Sequence, residues 1–332
     1  ANEQGAGVRL DGRLSATASD ISISSNGDIR LGQAHAARTV DVRTTGSVVT
    51  PGSVLAGNDV LISADNVLQA GEMAAGNRIV VKADGELLNS GEMAAGAELN
   101  LDADAGLLNQ GLLYSAADLN VQSGYFFNGG LVYAGADGIF STLEDDFVNQ
   151  GVMHAGRDLR ASAVTNLLND SSGQLSSGRH LRLFAINELT NEGIVYANNS
   201  LSMTGRYLNA SGTQFSAGSI NLRGLSVSLA GSTAAGGDIL IVADDAIDLY
   251  GDISSEQSIE AYSGSLVNIG NISSGFGIRL ETGYFENRGT IEAIGHLELN
   301  ALNTLNAGLL FGGTGYLWSE SLINAGVIAG QD

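Results

Sequence analysis

Apolar residues alternate with polar or small ones in short runs along this chain, and the runs restart at a nearly constant interval. The segments "LLNSGEMAAGAELNLDA", "LLNQGLLYSAADLNVQS", "FVNQGVMHAGRDLRASA" and "FENRGTIEAIGHLELNA" share one register. Each reads apolar-x-Asn-x-Gly, a short apolar strand, a small-residue corner, then Leu-x-apolar. A period of two within a run predicts strands, and a return every ~20 residues predicts a repeat. No stretch sustains apolar residues at helical spacing, so no helix is expected.

The asparagine marks the register at Asn89, Asn109, Asn128, Asn149, Asn169, Asn191, Asn209, Asn268, Asn287, Asn306 and Asn324. Leu229 and Leu249 fill two places in the series, and Gln69, Thr50, Arg30 and Leu10 continue it upstream with weaker matches. One such unit is too short to bury a core and must stack on its neighbours. The expected fold is therefore all-β: a right-handed parallel β-helix (solenoid) with rungs of ~20 residues. At the strand spacing of ~4.8 Å the rungs would form a rod roughly 75–80 Å long. We expect a single continuous β-helix over 1–332, with degenerate rungs in 1–66 and regular rungs in 67–332. The chain stops mid-rung at "NAGVIAGQD", before a third strand, and so reads as a fragment of a longer protein.

Positions relative to the marker sort into inside and outside. Two before it, Leu87, Leu107, Phe126, Phe147, Leu167, Leu189, Tyr207, Val227, Ile247, Leu266, Phe285 and Leu322 form one inward column. Four after it, Met93, Leu113, Val132, Met153, Val195, Ile253, Ile272, Ile291, Leu310 and Ile328 form a second. Inserted residues in the Asn169 and Asn209 units would move its members there to Leu175 and Phe215. The marker shares inward parity, so its amides are expected to form a hydrogen-bonded ladder from rung to rung. Asparagine also tolerates the left-handed backbone that corners use.

Three and five after the marker the side chains should face solvent, and most units carry polar or small residues there, such as Glu92/Ala94 and Asp252/Ser254. Central rungs instead carry Leu112/Tyr114, Leu131/Tyr133, Val152/His154 and Ile194/Tyr196. The position before the marker behaves alike, with Leu88, Leu108, Phe127, Val148, Leu168 and Leu208. Exposed apolar bands of this kind mark interaction surfaces. The alternatives are cover by another segment of the chain, or a locally shifted register.

Composition narrows the chemistry. The net charge of −21, from 36 acidic against 15 basic residues, argues against nucleic acid as a partner. Zero cysteines excludes disulfides and thiolate metal sites. No apolar run is long enough to span a membrane as a helix, so no membrane insertion by this segment is expected. His35, His154, His180 and His296 show no metal-ligand spacing. The carboxylate groups Glu144/Asp145/Asp146 and Asp244/Asp245 fall at predicted corners, where acids are ordinarily solvated. No catalytic residue, metal or cofactor is assigned. A β-helical polysaccharide lyase, glycosidase or tailspike is the competing class, since such enzymes use carboxylates from adjacent rungs.

The unit "LLNSGEMAAGAELNLDADAG" resembles the repeat of the filamentous haemagglutinin family, well over about residues 67–330 and loosely over 10–66. These are large Gram-negative exoproteins of two-partner secretion, including adhesins and contact-dependent growth inhibition effectors. The resemblance implies a secreted, extracellular or surface-displayed stalk segment without enzymatic activity of its own. It further implies an outer-membrane secretion partner during export, and contact with a protein or glycan receptor on another cell surface. The family usually places a polar residue before the asparagine, whereas the central rungs place Leu, Phe or Val there. That departure points to a receptor surface at Leu112, Tyr114, Phe127, Leu131, Tyr133, Val152, His154, Ile194 and Tyr196.

Overall fold

The computed structural model describes residues 7–331; residues 1–6 and 332 of the expected span lie outside the described residues. Every regular element among the described residues is a β-strand, and strands of successive turns pair in parallel. The chain divides into two compact units, Ala1–Val164 and Thr165–Asp332. Each is a parallel β-solenoid.

In the N-terminal unit a rung consists of a marker strand, a middle strand and a closing strand. Glu86–Asn89 and Glu92–Ala95 supply the first two, and the first half of Glu98–Asn109 supplies the third. Each pairs only with its counterparts one turn earlier and later, as in Leu87↔Leu107, Met93↔Leu113 and Ile79↔Leu99. Alternation follows from the pleat: Leu87, Leu107, Phe126 and Phe147 are fully buried while their neighbours face out. Phe126, Phe140 and Phe147 meet inside, with centroids 4.9 Å apart for Phe126–Phe147 and 5.4 Å for Phe126–Phe140. Gly138 occupies the column of Leu119 and Leu159, and this small residue makes room for the ring of Phe140.

The C-terminal unit repeats the scheme. Glu188–Asn191, Ile194–Ala197 and Ser200–Thr204 stack on Tyr207–Ala210, Thr213–Ser216 and the first part of Ser219–Leu229. The extra residues after Asn169 form a turn in which Gly173 N–H donates to Asp170 C=O at 2.7 Å. That turn restores the register, and Leu175 is buried as expected. Leu322 and Ile328, on the last described rung, are about half exposed.

The marker amides form the expected ladder. In the N-terminal unit the Nδ2 of Asn89, Asn109 and Asn128 each donate to Oδ1 of the next marker at 2.8 Å. In the C-terminal unit the bonds run Asn169–Asn191, Asn268–Asn287, Asn287–Asn306 and Asn306–Asn324, at 2.7–2.8 Å. The same nitrogens also reach backbone carbonyls one rung on, as Asn89 does to Leu112 O at 3.1 Å. Upstream, Thr50 Oγ1 donates to Gln69 Oε1 in the same column.

Two expected markers are displaced by one residue. Asn191 pairs with Ala210, not Asn209, and Leu208 rather than Tyr207 enters the core. Asn209 is exposed, and its Nδ2 donates to Glu188 Oε1 at 2.7 Å instead. The apparent insertion in that rung is this shift, so Gln214 is buried and Phe215 points outward. Likewise Arg30 pairs with Val49, one residue short of the marker Thr50, and is exposed.

The corners also differ from expectation. No residue of the described chain has a positive φ, so asparagine serves there through its amide and not through a left-handed backbone. The glycine two after the marker is needed for close approach: a Cβ on Gly91 would overlap the carbonyl oxygen of Gly71, and one on Gly111 that of Gly91. Replacing Asn109 by alanine removes two ladder bonds from a buried site and should cost about 1–3 kcal/mol in urea unfolding. Asn209→Ala, at a surface position, should stay within about 0.5 kcal/mol. Equal losses would contradict a register that buries Asn109 and exposes Asn209.

Candidate functional site

The middle strands carry the outward apolar residues. In the N-terminal unit the pairings run Glu92↔Leu112↔Leu131↔Val152 in one row and Ala94↔Tyr114↔Tyr133↔His154 in the next. Parallel, in-register stacking places chemically similar side chains one strand spacing apart, so the rings align. Tyr114 and Tyr133 stack at 5.5 Å between centroids with planes 8° apart, and Tyr133 and His154 at 5.4 Å and 26°. The row is thus a three-ring aromatic ladder on the outer face.

These side chains are accessible. Tyr114 is 37%, Leu131 44% and Tyr133 36% exposed, while Leu112, Val152 and His154 are half-buried. Among the described residues the register places these side chains on the outer face, where they are exposed or half-buried. Phe127 is half-buried around the corner on the marker strand, level with Leu108 and Val148. Its ring lies over Gly129, where a Cβ would come within 3.1 Å of Cε1. Gly129 stands where neighbouring rungs have Gln110 and Gln150, and the missing side chain opens the place that Phe127 fills.

The rim is charged. Glu72 and Glu92 continue the leucine row toward the N-terminus. One corner further along the chain, Arg157 Nε donates to Asp137 Oδ1 at 2.7 Å, and this hydrogen bond holds the Asp137 carboxyl below the usual carboxylate range. The ladder itself holds no Asp, Glu, Lys or Arg. Because the stacked faces turn toward one another, the surface offered to a partner is made of ring edges, two phenol hydroxyls, an imidazole and aliphatic side chains.

Ile194 and Tyr196 lie in the C-terminal unit, on strand Ile194–Ala197, 46% and 38% exposed. Tyr196 stacks on Phe215 at 5.4 Å and 13°. Phe215 was missed in the sequence because Asn209 draws the register off by one; uniform steps back from Leu229 put the marker at Ala210 and Phe215 in the tyrosine row. Leu168 keeps its outward place, whereas Leu208 joins the core.

Of the carboxylates weighed for catalysis, Glu144, Asp145, Asp244 and Asp245 are exposed, and Asp145 Oδ1 accepts from Asp146 N–H at 2.9 Å. Among the described residues no three His, Asp or Glu side chains converge as a metal-ligand set. His35, His180 and His296 each meet a hydroxyl, of Ser53, Ser200 and Thr314, at 2.7–3.0 Å.

Over 145 residues, 43% of this chain, the sequence is 31% identical to the 16S rRNA endonuclease CdiA of Enterobacter cloacae subsp. cloacae. The aligned stretch is 4% of the length of that protein. No family model matches the chain, and no solved structure matches it.

The aromatic ladder predicts its own energetics. A double-mutant cycle on Tyr114→Ala and Tyr133→Ala should give a favourable coupling of about 0.5–1.5 kcal/mol in unfolding experiments. Additive single-variant losses would mean that the rings do not interact.

Proposed function

We propose that the chain is a right-handed β-solenoid stalk segment of a large secreted exoprotein displayed at a Gram-negative cell surface. It reaches the surface with the help of an outer-membrane secretion partner and acts in cell–cell contact, without catalysis of its own. On the N-terminal unit the receptor, a protein or glycan of another cell, is met by the rows Leu112/Leu131/Val152 and Tyr114/Tyr133/His154 with Phe127 beside them; Ile194 and Tyr196 offer a contact of the same kind on the C-terminal unit.

The observation that carries this reading is the accessible aromatic ladder, in which Tyr114, Tyr133 and His154 stack ring on ring along the outer face. Burying one large apolar side chain contributes roughly 1.5–3 kcal/mol, so a partner that covers several of these gains substantial affinity. The likeness to CdiA supports the exoprotein part of the reading, and the family resemblance supports the stalk and its export. The nuclease activity in the name of that relative is not assigned to this segment.

The test is binding of the fluorescently labelled chain to intact target cells, bacterial and epithelial in parallel. Replacing Tyr114, Tyr133 and Tyr196 together by serine should weaken binding to the cells recognised by the parent chain by at least about tenfold. The variant should keep its β-sheet circular dichroism. A folded variant that binds as well as the parent would remove the ladder from the contact surface.

A further inference from the structure

A second surface lies on the closing strands of the C-terminal unit. Their outward positions pair in the order Val242↔Tyr262↔Glu281↔Asn300↔Trp318. Inward neighbours fix this orientation, since Ala261, Leu280 and Leu299 in the alternate positions are buried. Around these side chains runs an open groove of 390 Å³, lined by Tyr262, Ser263, Glu281, Thr282, Asn300 and Trp318 among others. Two large rings, three strand pairings apart, line it with a carboxylate and an amide between them.

We propose that this groove binds a neutral oligosaccharide, lying along the solenoid and stacking a sugar ring at each end. Tyr262 and Trp318 are separated by three strand spacings, roughly 14 Å, a distance spanned by an extended chain of about three to four pyranose units at about 5 Å each. A pyranose has an apolar C–H face and an edge of hydroxyls. The aromatic ends suit the first, and Glu281 and Asn300, which offer acceptors and donors between the rings, suit the second.

The tyrosine ring and the carboxylate are held before any ligand arrives. Tyr262 Oη donates to Glu260 Oε2 at 2.8 Å, and the Arg279 guanidinium stands 5.9 Å from the tyrosine ring centroid. Arg279 Nη2 also donates to Glu281 Oε2 at 3.4 Å. Trp318 is 41% exposed, leaving much of the indole free for contact. Electrostatics selects among sugars. Glu281 lies in the groove and the adjoining row reads Glu260, Arg279, Glu298, so three carboxylates face one guanidinium there; with −21 overall, uronic and sialic acids are disfavoured.

Trp318 is the one tryptophan of the chain, so indole fluorescence reports on this groove alone. The 332-residue chain is titrated with cellotriose, with triacetylchitotriose and with trigalacturonic acid. A saturable change in emission is expected with at least one neutral trisaccharide, at a midpoint on the order of 1 mM, and none with the acidic one. Tyr262→Ala, on the outer face, should move that midpoint about tenfold higher. Asn300→Ala should move it in the same direction while the circular dichroism stays that of the parent. No saturable response to either neutral sugar up to about 20 mM, well above any specific affinity, would overturn the proposal. So would an unchanged midpoint in Tyr262→Ala, or equal binding of trigalacturonic acid.

Discussion

A buried side-chain amide that must find its partner on the next rung is the constraint on which the rest of each solenoid unit depends. Asn109 is fully buried, accepts from Asn89 and donates to Asn128. Such a group leaves water only if its donors and acceptors are met, and the similar group within reach is the same residue one turn away. A slip of one residue would turn the amide to solvent and the neighbouring leucine inward, so the ladder fixes register as well as spacing. The glycine two positions later has the same effect through sterics, because its Cα packs against the carbonyl of the glycine below. Together they allow the intervening strands to vary without losing their place.

That freedom explains the surfaces. Once the ladder and the aliphatic columns hold the register, outward positions are unconstrained by the core, and parallel stacking aligns whatever they carry into rows. Tyr114, Tyr133 and His154 become a stack because the pairing sets them one above another. Tyr262, Glu281, Asn300 and Trp318 come to line one groove for the same reason. A β-solenoid thus turns a linear sequence choice, made once every rung, into a linear surface feature.

Most of the fold was legible because the period and the alternation are both strong. The strand triplets, the two inward columns and the amide ladder all follow from one alignment of repeats. Misreadings arose where one residue type mimicked another's place. Asn209 looks like a marker, but Leu208 beside it is the better core residue, and burial of a leucine outweighs one exposed asparagine bond. Phe215 was hidden by that shift, and with it the stack on Tyr196. The use of Gly129 and Gly138 to admit Phe127 and Phe140 is invisible in a repeat pattern, because it depends on side-chain volume in three dimensions. The outward bands themselves were legible as violations of the alternation. Their exposure was not, since it depends on how the described residues pack in three dimensions.

The C-terminal unit also shows what happens where the ladder is interrupted. The markers Ala210, Leu229 and Leu249 have no amide, and Asn268 Oδ1, which follows them, is buried without a donor. In these rungs the polar pairing moves to the second column, where Thr233 Oγ1 donates to Gln214 Oε1 at 2.8 Å, although Gln214 Nε2 stays unsatisfied. An apolar marker column costs little by itself, because a leucine stack replaces both partners of each bond. What it loses is specification of register, for leucines tolerate a slip that amides do not. These are the rungs that follow the displaced marker at Asn209, which is consistent with a register held there by the core columns and the corner glycines alone.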